Sequence, residues 1–248
     1  GMHMQDHLGT AYTYGVTHRT LNERLSSFSA KIISGIQFLL LRRGPLSLSI
    51  NHGGGFFRTD PKKTRPNMQI YFQALSTIHE NHSIDRPILN PDPFPAVSLG
   101  LSSCRPTSRG YIELVSPNPF VPPKIFGNAY QTDHDVLEML QAMKFLRKLA
   151  AQPAFKEITT QELKPGCSIQ SDQDMIKFIR DSSGTVYHPC GTCRMSQDPE
   201  NSVVDSMTRV HGVDHLNIID ASIFPNIIAG NTNGPVLMTA HRAAEFLR

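Results

Sequence analysis

Leu216-Asn217-Ile218-Ile219-Asp220-Ala221-Ser222-Ile223-Phe224-Pro225 and Gly230-Asn231-Thr232-Asn233-Gly234-Pro235 are the two stretches on which the reading of this chain turns. Leu216 to Asp220 reads as a short apolar strand ending in a carboxylate. Asn233-Gly234-Pro235 then opens a final helix, since proline fits a first helical turn without losing a needed hydrogen bond. Val236, Ala240, Ala243, Ala244 and Leu247 form the apolar stripe of that helix. This strand, loop and helix look like part of a nucleotide-binding sheet separated from its neighbours. Upstream lies Tyr187-His188-Pro189-Cys190-Gly191-Thr192-Cys193-Arg194-Met195, which pairs a histidine with a C-x-x-C spacing.

The chain has 248 residues, enough for one large domain or two small ones with a substantial core. A formal charge of +3, from 24 basic and 21 acidic residues, is too balanced to imply nucleic acid. The densest basic run, Pro61-Lys62-Lys63-Thr64-Arg65-Pro66, reads as a solvated loop. Ile36-Gln37-Phe38-Leu39-Leu40-Leu41 is the most apolar run, too short to cross a bilayer and closed by Arg42-Arg43. No charged-then-apolar leader precedes a small-residue cleavage site, so the expectation is a cytoplasmic protein without a membrane span. Cys104 and Cys167 lie far from the Cys190/Cys193 pair, which argues against a disulfide framework.

Working inward from the N-terminus, Ser29 to Arg43 carries Ile32, Ile33, Ile36, Leu39 and Leu40 at helical spacing, and Gly44-Pro45 stops the helix. From Met68 the pattern alternates, with Met68, Ile70, Phe72 and Ala74 on one face of a strand. Ile84 to Pro95 is dense in proline and reads as an irregular connection. Arg109 to Leu114 is another short strand, closed by Ser116-Pro117-Asn118-Pro119. Asp133 to Ala150 is an amphipathic helix with Val136, Leu137, Leu140, Met143, Leu146 and Leu149 as its stripe and Asp133 as its cap. Asp172 to Arg180 is a shorter helix of the same kind. The mixed order predicts an α+β fold, an antiparallel sheet with helices on one side, plus the C-terminal strand-loop-helix.

Taken together, Tyr187 to Met195, Leu216 to Pro225 and Gly230 to Pro235 resemble the closing signature of the glucose–methanol–choline (GMC) family of flavin-dependent alcohol oxidoreductases. The resemblance is strongest over Tyr187 to Arg248 and weaker over Arg105 to Leu114. Arg43-Gly44-Pro45-Leu46 and Met4-Gln5-Asp6-His7-Leu8 also look like family segments. It implies a substrate-binding domain over 1–200 and a return segment over 201–248 that completes an FAD-binding domain. Family members begin with a strand, a G-x-G-x-x-G turn and a helix that cradle the FAD pyrophosphate. Gly53-Gly54-Gly55 is the one glycine cluster, and it lacks that pattern. The expectation is therefore a truncated product of a longer gene or a separately expressed domain, with Gly1 as a tag remnant. FAD then belongs to the full-length parent and is not retained by this chain.

Oxidation of an alcohol by a flavin needs a base for the hydroxyl proton and a partner that orients the oxygen. Histidine suits the first role because it titrates near neutral pH. By resemblance His188 is the catalytic histidine; taken without it, a His before Pro serves as a polar loop residue. Asn231 occupies the family's second catalytic position, where an amide can donate to or accept from the substrate oxygen. Taken without the resemblance, it is a turn asparagine. Asn at this place is similar to the choline-oxidising branches. The resemblance also sets Asp220 and Ala221, and Asn231, Thr232 and Asn233, against FAD, with the positive end of the last helix toward the flavin ring. Asp220 reads equally well as a carboxylate capping a turn. No metal is expected, because a structural zinc site wants a second ligand pair that Cys190 and Cys193 lack. Of the other histidines, His7 belongs to the Gln-Asp-His segment, while His18, His79, His82, His134, His211, His215 and His241 read as surface positions.

The partners expected are a small-molecule alcohol and the absent flavin-binding half. Two other readings stay open from sequence: a non-catalytic remnant or ligand-binding domain, and a thiol-redox or metal protein built on Cys190 and Cys193.

Overall fold

A computed structural model describes residues 1–78 and 91–247. His79, His82, Arg248 and all but the last five residues of the proline-dense connection lie outside the described residues. In chain order the elements are β1 (Leu8–Val16), α1 (Leu21–Ser26), α2 (Phe28–Leu41), β2 (Gly53–Phe57), β3 (Met68–Gln73), β4 (Ala96–Ser103), β5 (Tyr111–Glu113), β6 (Lys124–Phe126), α3 (Asp133–Ala150), α4 (Pro153–Lys156), β7 (Thr159–Lys164), α5 (Asp172–Ser182), β8 (Gly184–Thr185) and α6 (Asn233–Phe246). They fall into two compact units. One holds residues 1–9, 102–139 and 182–248; the other holds 10–101 and 140–181.

The second unit is built on a sheet with strand order β2-β3-β4-β1-β7. β2 and β3 pair antiparallel from Gly53 opposite Phe72 to Phe57 opposite Met68, so the glycine cluster lies in a strand rather than a turn. β1 and β7 are also antiparallel, with register shifts at Thr13/Tyr14 and Gly15/Val16 that mark bulges. β1 and β4 are central strands, and Tyr12, Tyr14, Val16, Ala96, Val97, Leu99 and Leu101 are all buried. Such strands are covered on both faces and lack the polar/apolar alternation by which β3 was legible. Helices bring the rest of the core: Leu140, Ala142, Met143 and Leu146 from α3, and Met175 and Ile179 from α5. Full burial of each large apolar side chain contributes about 1.5–3 kcal/mol. Arg147 on α3 spans to β7 by a two-pronged pair with Glu162, at 2.7 and 3.1 Å, and its guanidinium lies over the Tyr12 ring.

Local sequence sets the helix ends. Thr20 and Glu23 form a reciprocal cap on α1. α2 starts on Ser27 and ends at Arg42 in the left-handed region, three residues before the proline expected to stop it. α3 spans the residues expected, but its cap is Thr132, whose hydroxyl accepts from Asp135 N–H; Asp133 is already the first helical residue. Leu137 and Leu149, placed on the apolar stripe by spacing, are exposed, because the buried face follows Val136, Met139/Leu140, Met143 and Leu146.

The first unit contains the β5–β6 hairpin, where the Tyr111 and Phe126 rings stack at 4.5 Å. It also contains a small core of Cys190, Val204, Ile223, Phe224 and Ile227. Leu216 to Asp220 is not the strand expected. Among the described residues it makes a single bridge, Asn217 opposite Arg209, fixed by Val210 N–H to Leu216 O and Ile218 N–H to Thr208 O. The backbone then turns at Asp220 into one turn of 3-10 helix, Ala221–Ile223, which stops any longer ladder. α6 begins at Asn233 as expected, with Ala243 on its buried side and Leu237 and Met238 exposed. Among the described residues no helix is long and apolar enough to cross a membrane.

Candidate active site

Four consecutive residues, Met4 to His7, organise the site within the first unit. Met4 exchanges backbone hydrogen bonds with Gly110 and Gln5 with Cys190. The Gln5 side chain is buried and bonded at both ends, an amide N–H donating to Pro106 O at 2.7 Å and its Oε1 accepting from Ile227 N–H at 3.0 Å. Asp6 accepts from the His188 backbone N–H at 3.0 Å and from the Thr185 hydroxyl. His7 is 1% exposed, with Nδ1 2.9 Å from Nδ1 of His188 and Nε2 3.2 Å from the Cys104 carbonyl. The two rings meet edge to face at 5.2 Å.

His188 itself is half-buried. The turn that delivers it is strained, because exposed Tyr187 has φ of +63° in the left-handed region, where a β-carbon is disfavoured. Thr185 supports that turn by accepting from Tyr187 N–H. Beyond His188, Gly191 needs its own freedom. Its φ is +88°, and a β-carbon there would lie 2.7 Å from the His3 carbonyl. Residues 191–195 then bond to the Asp220 turn through Gly191 N–H to Ala221 O, Cys193 N–H to Ser222 O and Met195 N–H to Ile223 O.

Asp220 is exposed and caps that turn, accepting from Ser222 N–H at 2.7 Å. Asn231, Thr232 and Asn233 sit at the start of α6, Asn231 and Asn233 exposed and Thr232 buried. The Thr232 side chain does not cap the helix, so the positive end of α6 has no side-chain cap from its own N-cap residue. His188 and Asn231 share no hydrogen bond among the described residues. What joins their segments is indirect: Ile227 N–H donates to Gln5, two residues before His7. His7 is the site residue that the sequence reading left without a role; the Gln-Asp-His segment carried the signal, but its partner lies 181 residues away.

Charges follow from these surroundings. Burial pushes His7 below its ordinary pKa; the Cys104 carbonyl opposes this, and His188 adds to the lowering. Cys190 is buried, and desolvation lifts its thiol to about 11, as it does that of Cys104. All four cysteines are free thiols. These two are therefore apolar core groups rather than reactive thiolates.

The GMC oxidoreductase family model matches residues 106–240, more than half of the chain and the whole stretch from Pro106 through the start of α6. The chain belongs to the GMC oxidoreductase family. This GMC chain is 35% identical over 252 residues to an alcohol dehydrogenase [acceptor] of Pseudomonas putida, covering 100% of itself and 44% of that protein. It is 34% identical to an oxygen-dependent choline dehydrogenase of Proteus mirabilis (strain HI4320), covering 43% of it. Pyridoxine 4-oxidase from Mesorbium loti superposes with a TM-score of 0.78 at 26% identity, over 99% of this chain and 43% of that one. Formate oxidase of Aspergillus oryzae RIB40 shares the fold, with a TM-score of 0.87 at 22% identity, over 100% of this chain and 47% of that one. The GMC chain thus spans less than half the length of the curated relatives it matches.

The residues present fit one side of an FAD site. The uncapped start of α6 and the exposed amides of Asn231 and Asn233 suit the electron-rich edge of a flavin ring. Among the described residues the glycine cluster forms no phosphate-binding turn, since it is paired in β2.

Proposed function

We propose that this chain supplies the base and the substrate-facing wall of an FAD-dependent enzyme that oxidises an alcohol CH–OH group. The observation that supports it most is His188, held by Asp6 on its backbone and by His7 on its ring, in a chain matching the GMC family. His188 takes the hydroxyl proton, and Asn231 orients the oxygen by donating or accepting through its amide. A bound FAD would supply the acceptor for the hydride of the alcohol carbon. The start of α6, with Asn231, Thr232 and Asn233, and the Asp220-Ala221 turn form the chain's share of the flavin site. The substrate-binding part falls within 1–200 and the segment completing the flavin domain within 201–248. The relatives' names favour a small alcohol of the choline class.

By itself the chain holds no FAD and is inactive, because the described residues offer the pyrophosphate no glycine-rich cradle. Purification tests this directly: a colourless protein is expected, and a preparation with stoichiometric flavin refutes it. For the chemistry, the chain is combined with the flavin-binding portion of a relative and flavin reduction by alcohols is followed. His188→Ala is expected to slow reduction on the order of a hundredfold or more, and Asn231→Ala by less, since an amide takes no proton. Unchanged reduction in the His188 variant with FAD bound removes His188 from the base role.

A further inference from the structure

We propose that His7 is a positioning residue that fixes the tautomer of His188, keeping its proton on Nδ1 and leaving Nε2 bare as the basic atom. The argument is a count of donors. The Cys104 carbonyl, 3.2 Å from His7 Nε2, can only accept, so that nitrogen carries a hydrogen. His7 is buried, and desolvation chiefly, with the adjacent His188, lowers its pKa, so near neutral pH the ring is neutral and its other nitrogen, Nδ1, is a lone pair. The partner of that lone pair, 2.9 Å away, is Nδ1 of His188, which must then be the donor. A neutral His188 with its hydrogen on Nδ1 has its lone pair on Nε2, on the opposite side of the ring from His7.

The remaining restraints act the same way. Asp6 holds the His188 backbone N–H at 3.0 Å, so the ring is fixed at both its stem and its Nδ1 edge. Rotation that would offer Nδ1 to a substrate costs the hydrogen bond to His7 and leaves a buried imidazole nitrogen unpaired. When His188 takes a proton, the new N–H bond forms at Nε2 while Nδ1–H continues to donate to His7. No proton has to move through His7. The inference uses the assignment of His188 as base, but the tautomer is a property of this chain alone and is measured without flavin or turnover.

The experiment is nitrogen-15 NMR of the full chain labelled in its histidine rings, at a pH where both residues are neutral. Two-bond proton–nitrogen correlations identify which nitrogen of each ring is protonated, and single His7 and His188 variants assign the signals. A single His188 form protonated at Nδ1, with His7 protonated at Nε2, is expected; His188 protonated at Nε2 in the unmodified chain overturns the proposal. His7→Gln keeps an acceptor for His188 and a donor for Cys104, so the His188 tautomer is expected to persist. His7→Leu removes the acceptor, and His188 is expected to shift to a mixture. An unchanged Nδ1–H form in a folded His7→Leu chain refutes the role of His7. Should that variant not fold, the unmodified and His7→Gln spectra still decide. A flavin-reduction assay that fails while these spectra agree rejects the catalytic reading and leaves this one standing.

Discussion

Asp135 is the residue whose removal should most disturb the floor of the site. It is 2% exposed, in the first turn of α3, and accepts from Thr107 N–H at 2.8 Å, the Thr107 hydroxyl at 2.9 Å and Ser108 N–H at 2.8 Å. Burial pushes its carboxyl up, but the hydrogen bonds from Ser108 and Thr107 outweigh that and hold it below the ordinary value. Asp135→Asn keeps one oxygen, which can still serve Thr107, and turns an N–H toward Ser108 N–H. One buried donor then goes unpaired, at about 1–3 kcal/mol, and two surviving bonds lose their charge at about 0.5–1 kcal/mol each. The expected loss is about 2–5 kcal/mol, read by urea titration as a fall in midpoint. The sign with pH follows from the depressed carboxyl. Its contribution is present above the unfolded pKa of 3.8 and is lost as pH falls through the folded value, so the variant should lack that part of the acid limb. Because Cys104, the acceptor for His7, lies three residues before Thr107, the His7 Nε2–H resonance should also move. A loss below about 0.5 kcal/mol with an unchanged acid limb refutes the reasoning.

Three further outcomes are expected. Arg147 and Glu162, with side chains 22% and 14% exposed, should show a coupling of about 1–2 kcal/mol in a double-mutant cycle, and additivity within about 0.3 kcal/mol refutes a net contribution from the pair. Thiol labelling of the native chain should modify exposed Cys167 first and spare buried Cys104 and Cys190, whose thiols are raised to about 11, until unfolding; four equal rates contradict the packing. Since the His7 pKa is lowered on folding, chiefly by burial, its contribution to stability is present above the unfolded value of 6.5 and is lost as pH falls below it; His7→Gln should flatten that limb, and an identical pH profile contradicts it.

What was legible in the sequence was what repeats locally. α3, α5 and α6 follow their apolar spacing, and β3 follows its alternation from Met68. β1 and β4 were not found, because a strand buried on both faces, such as Ala96 to Ser103, carries no period to detect. The apolar residues of Leu216 to Asp220 suggest a strand, yet pairing depends on a neighbour, and among the described residues the segment makes one bridge, Asn217 opposite Arg209. The catalytic assignments to His188 and Asn231 came by family resemblance, which can name a residue but not the atom that acts.

That atom depends on a contact between residues 181 apart, and on why Met4 to His7 is suited to make it. In extended chain alternate side chains share a face, so Gln5 and His7 project together and Asp6 projects oppositely. Gln5 and His7 accordingly share the Cys104–Pro106 stretch, through one carbonyl each, and Gln5 also fastens Ile227. Asp6 is left to take Thr185 and the backbone of His188. The loop carrying His188 is thus gripped at its backbone by one residue and at its ring by the next. A histidine on a strained, half-exposed turn would otherwise sample several rotamers, each placing a different nitrogen toward substrate. Two hydrogen bonds donated by His188 to adjacent residues of one extended segment restrict that choice before any substrate arrives, the preorganisation that the proposed base role calls for.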